Sequence, residues 1–209
     1  MNLIIIGDGG LAREVYDLAT NCSSQEQNIK IKGFLSEKSS NIESLGYPPI
    51  IGTVSNYIIE EGDVFFCGIG SVTLRKKCVE IILSKGGKFI NLIHPTAVIS
   101  PSVKLGFGVA IKSFCVISSN VTIGDYSFLQ SSVIVGHDVI IGKYCQINSF
   151  SFFAGCSMID DQVLVGAHSK FIQGAKAEEL STVGIGSLII RKVKKNTTVF
   201  GTPAKEIKI

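Results

Sequence analysis

The fold is decided by the stretch Val121-Thr122-Ile123-Gly124-Asp125-Tyr126-Ser127-Phe128-Leu129-Gln130-Ser131-Ser132-Val133-Ile134-Val135-Gly136-His137-Asp138-Val139-Ile140-Ile141-Gly142. A large apolar residue returns at every sixth position: Ile123, Leu129, Val135, Ile141. A small or β-branched residue stands four places after each, as at Ser127, Val133 and Val139. Followed in both directions, the sixth-residue column is apolar without a break from Ile93 to Ile189. Gly follows the column residue at Gly106, Gly124, Gly136, Gly142, Gly166 and Gly184.

A sustained hexapeptide period is the sequence form of a parallel β-helix, whereas a β-sandwich predicts period two. Three hexapeptides, about 18 residues, close one triangular coil. The large aliphatic points inward and stacks on its equivalents above and below. The small residue fits where the turn crowds the interior, and Gly is expected to permit tight backbone at the corners. Residues 93–192 amount to about five and a half coils, a prism roughly 25 Å long at the usual strand spacing.

Before this run the period changes. Leu3–Gly7, Ile29–Leu35 and Asp63–Ile69 read as strands, and Gly10–Thr20 and Val72–Ser84 as helices. Continuous apolar strands alternating with helices imply a parallel sheet covered on both faces. The expected architecture is an α/β Rossmann-like domain over residues 1–90 followed by an all-β parallel β-helix over residues 91–209.

Composition agrees with both halves. The 209 residues include 30 Ile and 18 Val against 13 Leu, a β-branched surplus that favours strands. Hydrophobic residues make up 45% and charged residues 18%, with a formal net charge of +3. That excludes a disordered chain and argues against a nucleic-acid binder driven by phosphate neutralisation. Met1-Asn2-Leu3-Ile4-Ile5-Ile6 reads as a buried strand rather than a secretory leader, and no apolar run reaches membrane-spanning length. Cys22, Cys67, Cys78, Cys115, Cys145 and Cys156 show no metal-ligand spacing and read as buried thiols of a reducing, cytoplasmic protein.

Chemistry must come from side chains outside the repeat. His94 reads as a linker residue and His168 as a solvated or interface residue. His137 is followed by Asp138, a carboxylate able to orient an imidazole and stabilise its charged form. A flat prism face offers no pocket, so a site there implies prisms packed side by side. Gly7-Asp8-Gly9-Gly10 follows a strand and opens a helix, which suits a phosphate, although the full G-x-G-x-x-G fingerprint is absent. Gly68-Ile69-Gly70-Ser71 makes a second Gly-rich mouth at the same sheet edge. Arg75, one turn into the next helix, could reach a phosphate or be solvated. The run Arg191-Lys192-Val193-Lys194-Lys195 could attract an anionic cofactor or form a solvated corner.

Taken in order, Ile5-Ile6-Gly7-Asp8-Gly9-Gly10-Leu11-Ala12-Arg13-Glu14-Val15, Gly33-Phe34-Leu35, Ile51-Gly52-Thr53, Ile69-Gly70-Ser71, Ile93-His94-Pro95, Val135-Gly136-His137-Asp138 and Gly201-Thr202-Pro203-Ala204 resemble the NeuD/PglD-type sugar O- or N-acetyltransferases. These belong to the left-handed β-helix acyltransferases. The resemblance implies left-handed coils, an acetyl-CoA-dependent transfer, and a homotrimer with sites between neighbouring prisms. It implies His137 as base, Asp138 as its orienting acid and the Gly155 N–H as oxyanion donor. It places acetyl-CoA near Gln146, Gly155, Ala167 and Lys192. A nucleotide sugar would be held by Gly7, Asp8, Gly9, Gly10, Glu37, Gly70, Ser71 and Arg75, with Gln130 at the acceptor. Gln130 stands where the family commonly has Asn, and Gln146 where it often has His. N-acetylation of a nucleotide-linked amino sugar for cell-surface glycans is the leading expectation. O-acetylation of sialic acid or another small hydroxyl acceptor, and a non-catalytic scaffold, remain open alternatives.

Overall fold

The computed structural model of the chain describes residues 1–23, 29–37 and 41–208. It divides into two compact units, Met1–Pro95 and Thr96–Ile209.

In the first unit four parallel strands form one sheet. They are β1 (Asn2–Ile6), β2 (Lys30–Leu35), β3 (Ile50–Gly52) and β4 (Asp63–Cys67), in the order β3-β2-β1-β4. Helices α1 (Gly10–Ser23) and α2 (Val72–Ser84) follow β1 and β4. Leu3, Ile4, Ile5 and Ile6 are completely buried, as a strand covered on both faces requires. The third strand expected from the sequence ends two residues early, because Gly68 and Ile69 turn towards α2. A Cβ on Gly68 would lie 2.6 Å from the Cα of Ala12, so only glycine lets α1 approach that strand end. At the far end of the sheet, Lys32 Nζ donates to Tyr57 Oη at 2.7 Å and to Asp63 Oδ1 at 3.0 Å.

In the second unit two-residue strands recur every six residues and pair in parallel with strands eighteen residues on: Thr122 with Ile140, Phe128 with Gln146, Ile134 with Phe152. Three such ladders make the three faces of a prism. The inward column is buried, from Ile111 through Phe153 to Ile189, with Phe153 and Phe171 stacked at 4.8 Å between centroids. The column four residues later is buried too, and its serine hydroxyls are hydrogen-bonded across the corner, except at Ser181, whose buried Oγ finds no partner among the described residues. Ser127 Oγ donates to Gly142 O at 2.7 Å, and Ser169 Oγ to Gly184 O at 3.0 Å. A small hydroxyl there fills the corner and satisfies a carbonyl that the ladder leaves over.

Two expectations need correction. The corners do turn through left-handed backbone, but not at the glycines after the aliphatics. Positive φ falls two residues further on, at Phe114 (60°), Asn120 (60°), Ser132 (62°), Asp138 (58°), Cys156 (61°) and their equivalents. Gly106, Gly142 and Gly166 are needed for close approach instead. A Cβ on Gly166 would lie 2.5 Å from Ile185 N, and one on Gly142 2.4 Å from Asp161 Oδ1. The repeat also loses two residues at its end. Ala177 pairs with Val193 and Thr182 with Thr198, sixteen residues apart. Val193, read as the small residue after Ile189, thus takes an inward aliphatic position. An antiparallel pairing of Thr198–Phe200 with Lys205–Ile207 completes that face.

Candidate active site

His137 and Asp138 sit at one corner of the prism, between the strands Ile134–Val135 and Ile140–Ile141. Gly136 lacks a side chain because its Cβ would meet Gly155 N at 2.9 Å, so the next coil packs down onto this turn. The left-handed φ of Asp138 swings its carboxylate back beside the preceding ring. Asp tolerates that conformation better than most residues. His137 Nδ1 and Asp138 Oδ2 are 2.7 Å apart. An ionised carboxylate only accepts, so Nδ1 carries the proton, and in the neutral ring Nε2 keeps its lone pair. The bond to His137, seconded by Asn120, holds the Asp138 carboxyl below the usual carboxylate range. Both side chains are more than half exposed.

The coils above and below complete this corner. Asn120, eighteen residues before Asp138, donates from Nδ2 to Asp138 Oδ1 at 3.2 Å. Gly155, eighteen residues after His137, lies directly against the imidazole. A Cβ built on it would be 2.6 Å from His137 Cε1 and Nε2. The Gly155 N–H donates to no protein acceptor among the described residues. Cys156 N donates to His137 O at 2.9 Å, locking the two coils together. Cys156 corrects the reading of six buried thiols: it is exposed, while the other five are buried. Asn120 and Cys156 were not singled out in the sequence, although the eighteen-residue coil spacing points to both. The outward strand residues on either side of the corner, Ile134 and Phe152, Ile140 and Met158, are exposed and apolar.

The other predicted residues are placed as follows. Gly7, Asp8, Gly9, Gly10, Glu37 and Gly70 line a cavity of about 450 Å³ in the first unit, at the C-terminal ends of its strands. Glu37 Oε1 accepts there from Val54 N at 3.1 Å. Ser71 is the N-cap of α2, its Oγ accepting from Leu74 N. Arg75 is not solvated: it is 1% exposed and its Nε donates to Ile69 O at 2.8 Å, bracing the second Gly-rich turn. In the prism Gln146 is buried, its Nε2 donating to Asn148 Oδ1 at 3.2 Å, and Gln130 and Ala167 are half-buried. His168 stacks on Phe150 at 4.8 Å. Lys192 is exposed and paired with Glu178 at 2.6 Å.

A hexapeptide prism carrying a His–Asp corner, preceded by an α/β unit with a Gly-lined cavity, is the architecture of the hexapeptide-repeat acyltransferases. Residues 2–82 match the PglD N-terminal domain, and residues 90–176 match the GMPPB C-terminal domain. PerB from Caulobacter crescentus, solved with CoA and GDP-perosamine, is 27% identical and superposes with a TM-score of 0.89, covering 100% of this chain and 98% of that one. The acetyltransferase domain of PglB from Neisseria gonorrhoeae, solved with acetyl coenzyme A, is 26% identical with a TM-score of 0.87, covering 99% and 98%. GDP-perosamine N-acetyltransferase from Escherichia coli O157:H7 is 29% identical over 156 residues, 69% of this chain and 67% of that protein. Across the first curated relatives the matched share of their own length is 24%, 67% and 51%. Along its whole length the chain is similar to PglD-type sugar acetyltransferases, and its second unit has the fold of their left-handed β-helix.

Proposed function

We propose that the protein transfers the acetyl group of acetyl-CoA to the amine of a nucleotide-linked sugar, in a cytoplasmic step of cell-surface glycan synthesis. One observation carries the mechanism: His137 is oriented by Asp138 at 2.7 Å, with its Nε2 face turned to the bare backbone of Gly155. The likeness to enzymes solved with CoA and GDP-perosamine supports the substrate class.

In this reading Nε2 takes a proton from the sugar amine as its nitrogen attacks the thioester carbonyl. Asp138 stabilises the imidazolium that forms. The unpaired Gly155 N–H donates to the oxyanion of the tetrahedral intermediate. The imidazolium then returns the proton to the departing CoA thiolate, so no net proton is lost or gained at the dyad. The cavity lined by Gly7–Gly10 and Gly70 holds the nucleotide. Its volume falls in the range of small-ligand pockets, and its backbone N–H groups at the start of α1 suit phosphate. The exposed apolar columns beside the corner, Ile134 with Phe152 and Ile140 with Met158, support assembly of three prisms with the sites between them.

The test is CoA release from acetyl-CoA with GDP- and UDP-linked amino sugars, set against their hydroxyl counterparts. Removing a general base costs about 10²–10⁴-fold in rate. Turnover of amino sugars that falls by that factor in His137→Ala supports the reading. Unchanged turnover in that variant, or transfer confined to hydroxyl sugars, defeats it.

A further inference from the structure

Cys156 has no part in acetyl transfer as derived above, yet it stands at the same corner. It lies eighteen residues after Asp138, so the coil geometry places it directly beyond the carboxylate. Its backbone is fixed there by the 2.9 Å bond from its N–H to His137 O and by its left-handed φ of 61°. Of the described cysteines it alone reaches solvent. One ligand atom each from His137, Asp138 and Cys156 lies within 4.8 Å of the other two.

We propose that His137, Asp138 and Cys156 form a site for a thiophilic divalent cation of the Zn²⁺ type, which silences the enzyme by occupying its base. The inhibitory consequence rests on His137 being that base; the binding itself does not. Zinc bonds of about 2.0–2.3 Å in a tetrahedron set ligand atoms roughly 3.3–3.8 Å apart. Reaching that from 4.8 Å requires closure by about 1 Å. Rotation of three exposed side chains supplies it while the backbone ladder stays in place. The donor set, one imidazole nitrogen, one carboxylate oxygen and one thiolate sulfur, suits zinc and discriminates against Mg²⁺ and Ca²⁺, which take oxygen. Three protein ligands leave a fourth position for water.

Binding releases the thiol proton to solvent as the metal–sulfur bond forms. The neutral imidazole has one lone pair, and whichever ring nitrogen the metal takes, that pair is no longer available to a substrate proton. Asp138 is drawn from the ring to the metal at the same time. The corner thus has two mutually exclusive states, a free dyad competent for proton transfer and a metal-closed one.

Cobalt(II) serves as the probe, since it adopts the same geometry and absorbs light. Titrated into the full-length protein, Co²⁺ is expected to give the d–d bands of a four-coordinate ion and a near-ultraviolet thiolate-to-cobalt band. Both should saturate at one ion per chain, vanish in Cys156→Ser and be displaced by Zn²⁺. Initial rates of acetyl-sugar formation, followed by chromatography to avoid interference from the CoA thiol, should fall with Zn²⁺ and return with EDTA. Cys156→Ser should retain basal activity and need at least about tenfold more zinc for the same inhibition. A missing thiolate band, a band that survives Cys156→Ser, or equal zinc sensitivity in the two proteins overturns the proposal. The absorption measurement needs no turnover. If no sugar is acetylated, the functional reading falls while the cobalt bands still decide the site.

Discussion

Replacing Gly155 with Ala adds a single methyl group at the point where the structure leaves none to spare. The new Cβ would sit 2.6 Å from Cε1 and Nε2 of His137, against about 3.4 Å or more for an ordinary contact. Gly155 belongs to a coil held by paired strands, so the imidazole is the group that yields, by about 0.8 Å. A misplacement of roughly 1 Å can cost on the order of 10²-fold in rate, equivalent to about 2.7 kcal/mol of transition-state stabilisation. Alanine keeps the backbone N–H, so the substitution displaces the base without deleting the oxyanion donor. The ring is largely exposed and can swing outward, so folding should be nearly untouched. The expected result is kcat lower by about 10²-fold, with KM for acetyl-CoA and the thermal midpoint close to wild type. Steady-state kinetics and a melting curve on the same preparation decide it. If kcat stays within about twofold of wild type, the bare backbone at Gly155 is not what positions the base.

Three further outcomes follow from the packing. Phe153→Ala empties an inward site beside Phe171 and should cost about 3–5 kcal/mol in denaturant unfolding, at an unchanged m-value. Gly68→Ala drives a methyl group into the backbone of Ala12 at 2.6 Å, and should destabilise the first unit by about 1–3 kcal/mol and weaken nucleotide binding measured by calorimetry. For Asp63, burial pulls the carboxyl upward, but the Glu60 N–H, the Tyr57 hydroxyl and the Lys32 ammonium together hold it below the usual range. A depressed carboxyl contributes stability above its unfolded pKa and loses it as pH falls through the folded value. The melting temperature should therefore drop below about pH 4, and Asp63→Asn should lower it at pH 7 while flattening that acid loss.

The inward columns were legible because each position carries one physical demand, apolar and large or small, repeated at fixed spacing. The corner conformation was not. Phe114, Ser132, Asp138 and Cys156 share left-handed backbone but no side-chain chemistry, since the coil imposes the turn from both sides. The glycines that follow the aliphatics invited a conformational reading, yet their requirement is steric and belongs to the next coil. The dyad was legible as adjacent residues in sequence. The residues beside it, Asn120 below and Cys156 above, are neighbours only across coils. In the first unit the alternation of apolar strands and helices placed both Gly-rich mouths at one sheet edge. The fate of Arg75 could not be read, because a helical position one turn in does not say whether the side chain turns outward or, as here, under the loop to Ile69.

The ladder that pairs Ile134 with Phe152 and Ile140 with Met158 makes the prism additive along its axis. A whole coil gained or lost towards either end leaves His137 facing the same two neighbours. A single residue gained anywhere between Asn120 and Cys156 shifts every pair at once. Descent in such a protein is therefore free to alter the length of the prism and severely constrained in its phase. The two-residue deficit before Val193 is tolerated where no further full coil has to stay in step.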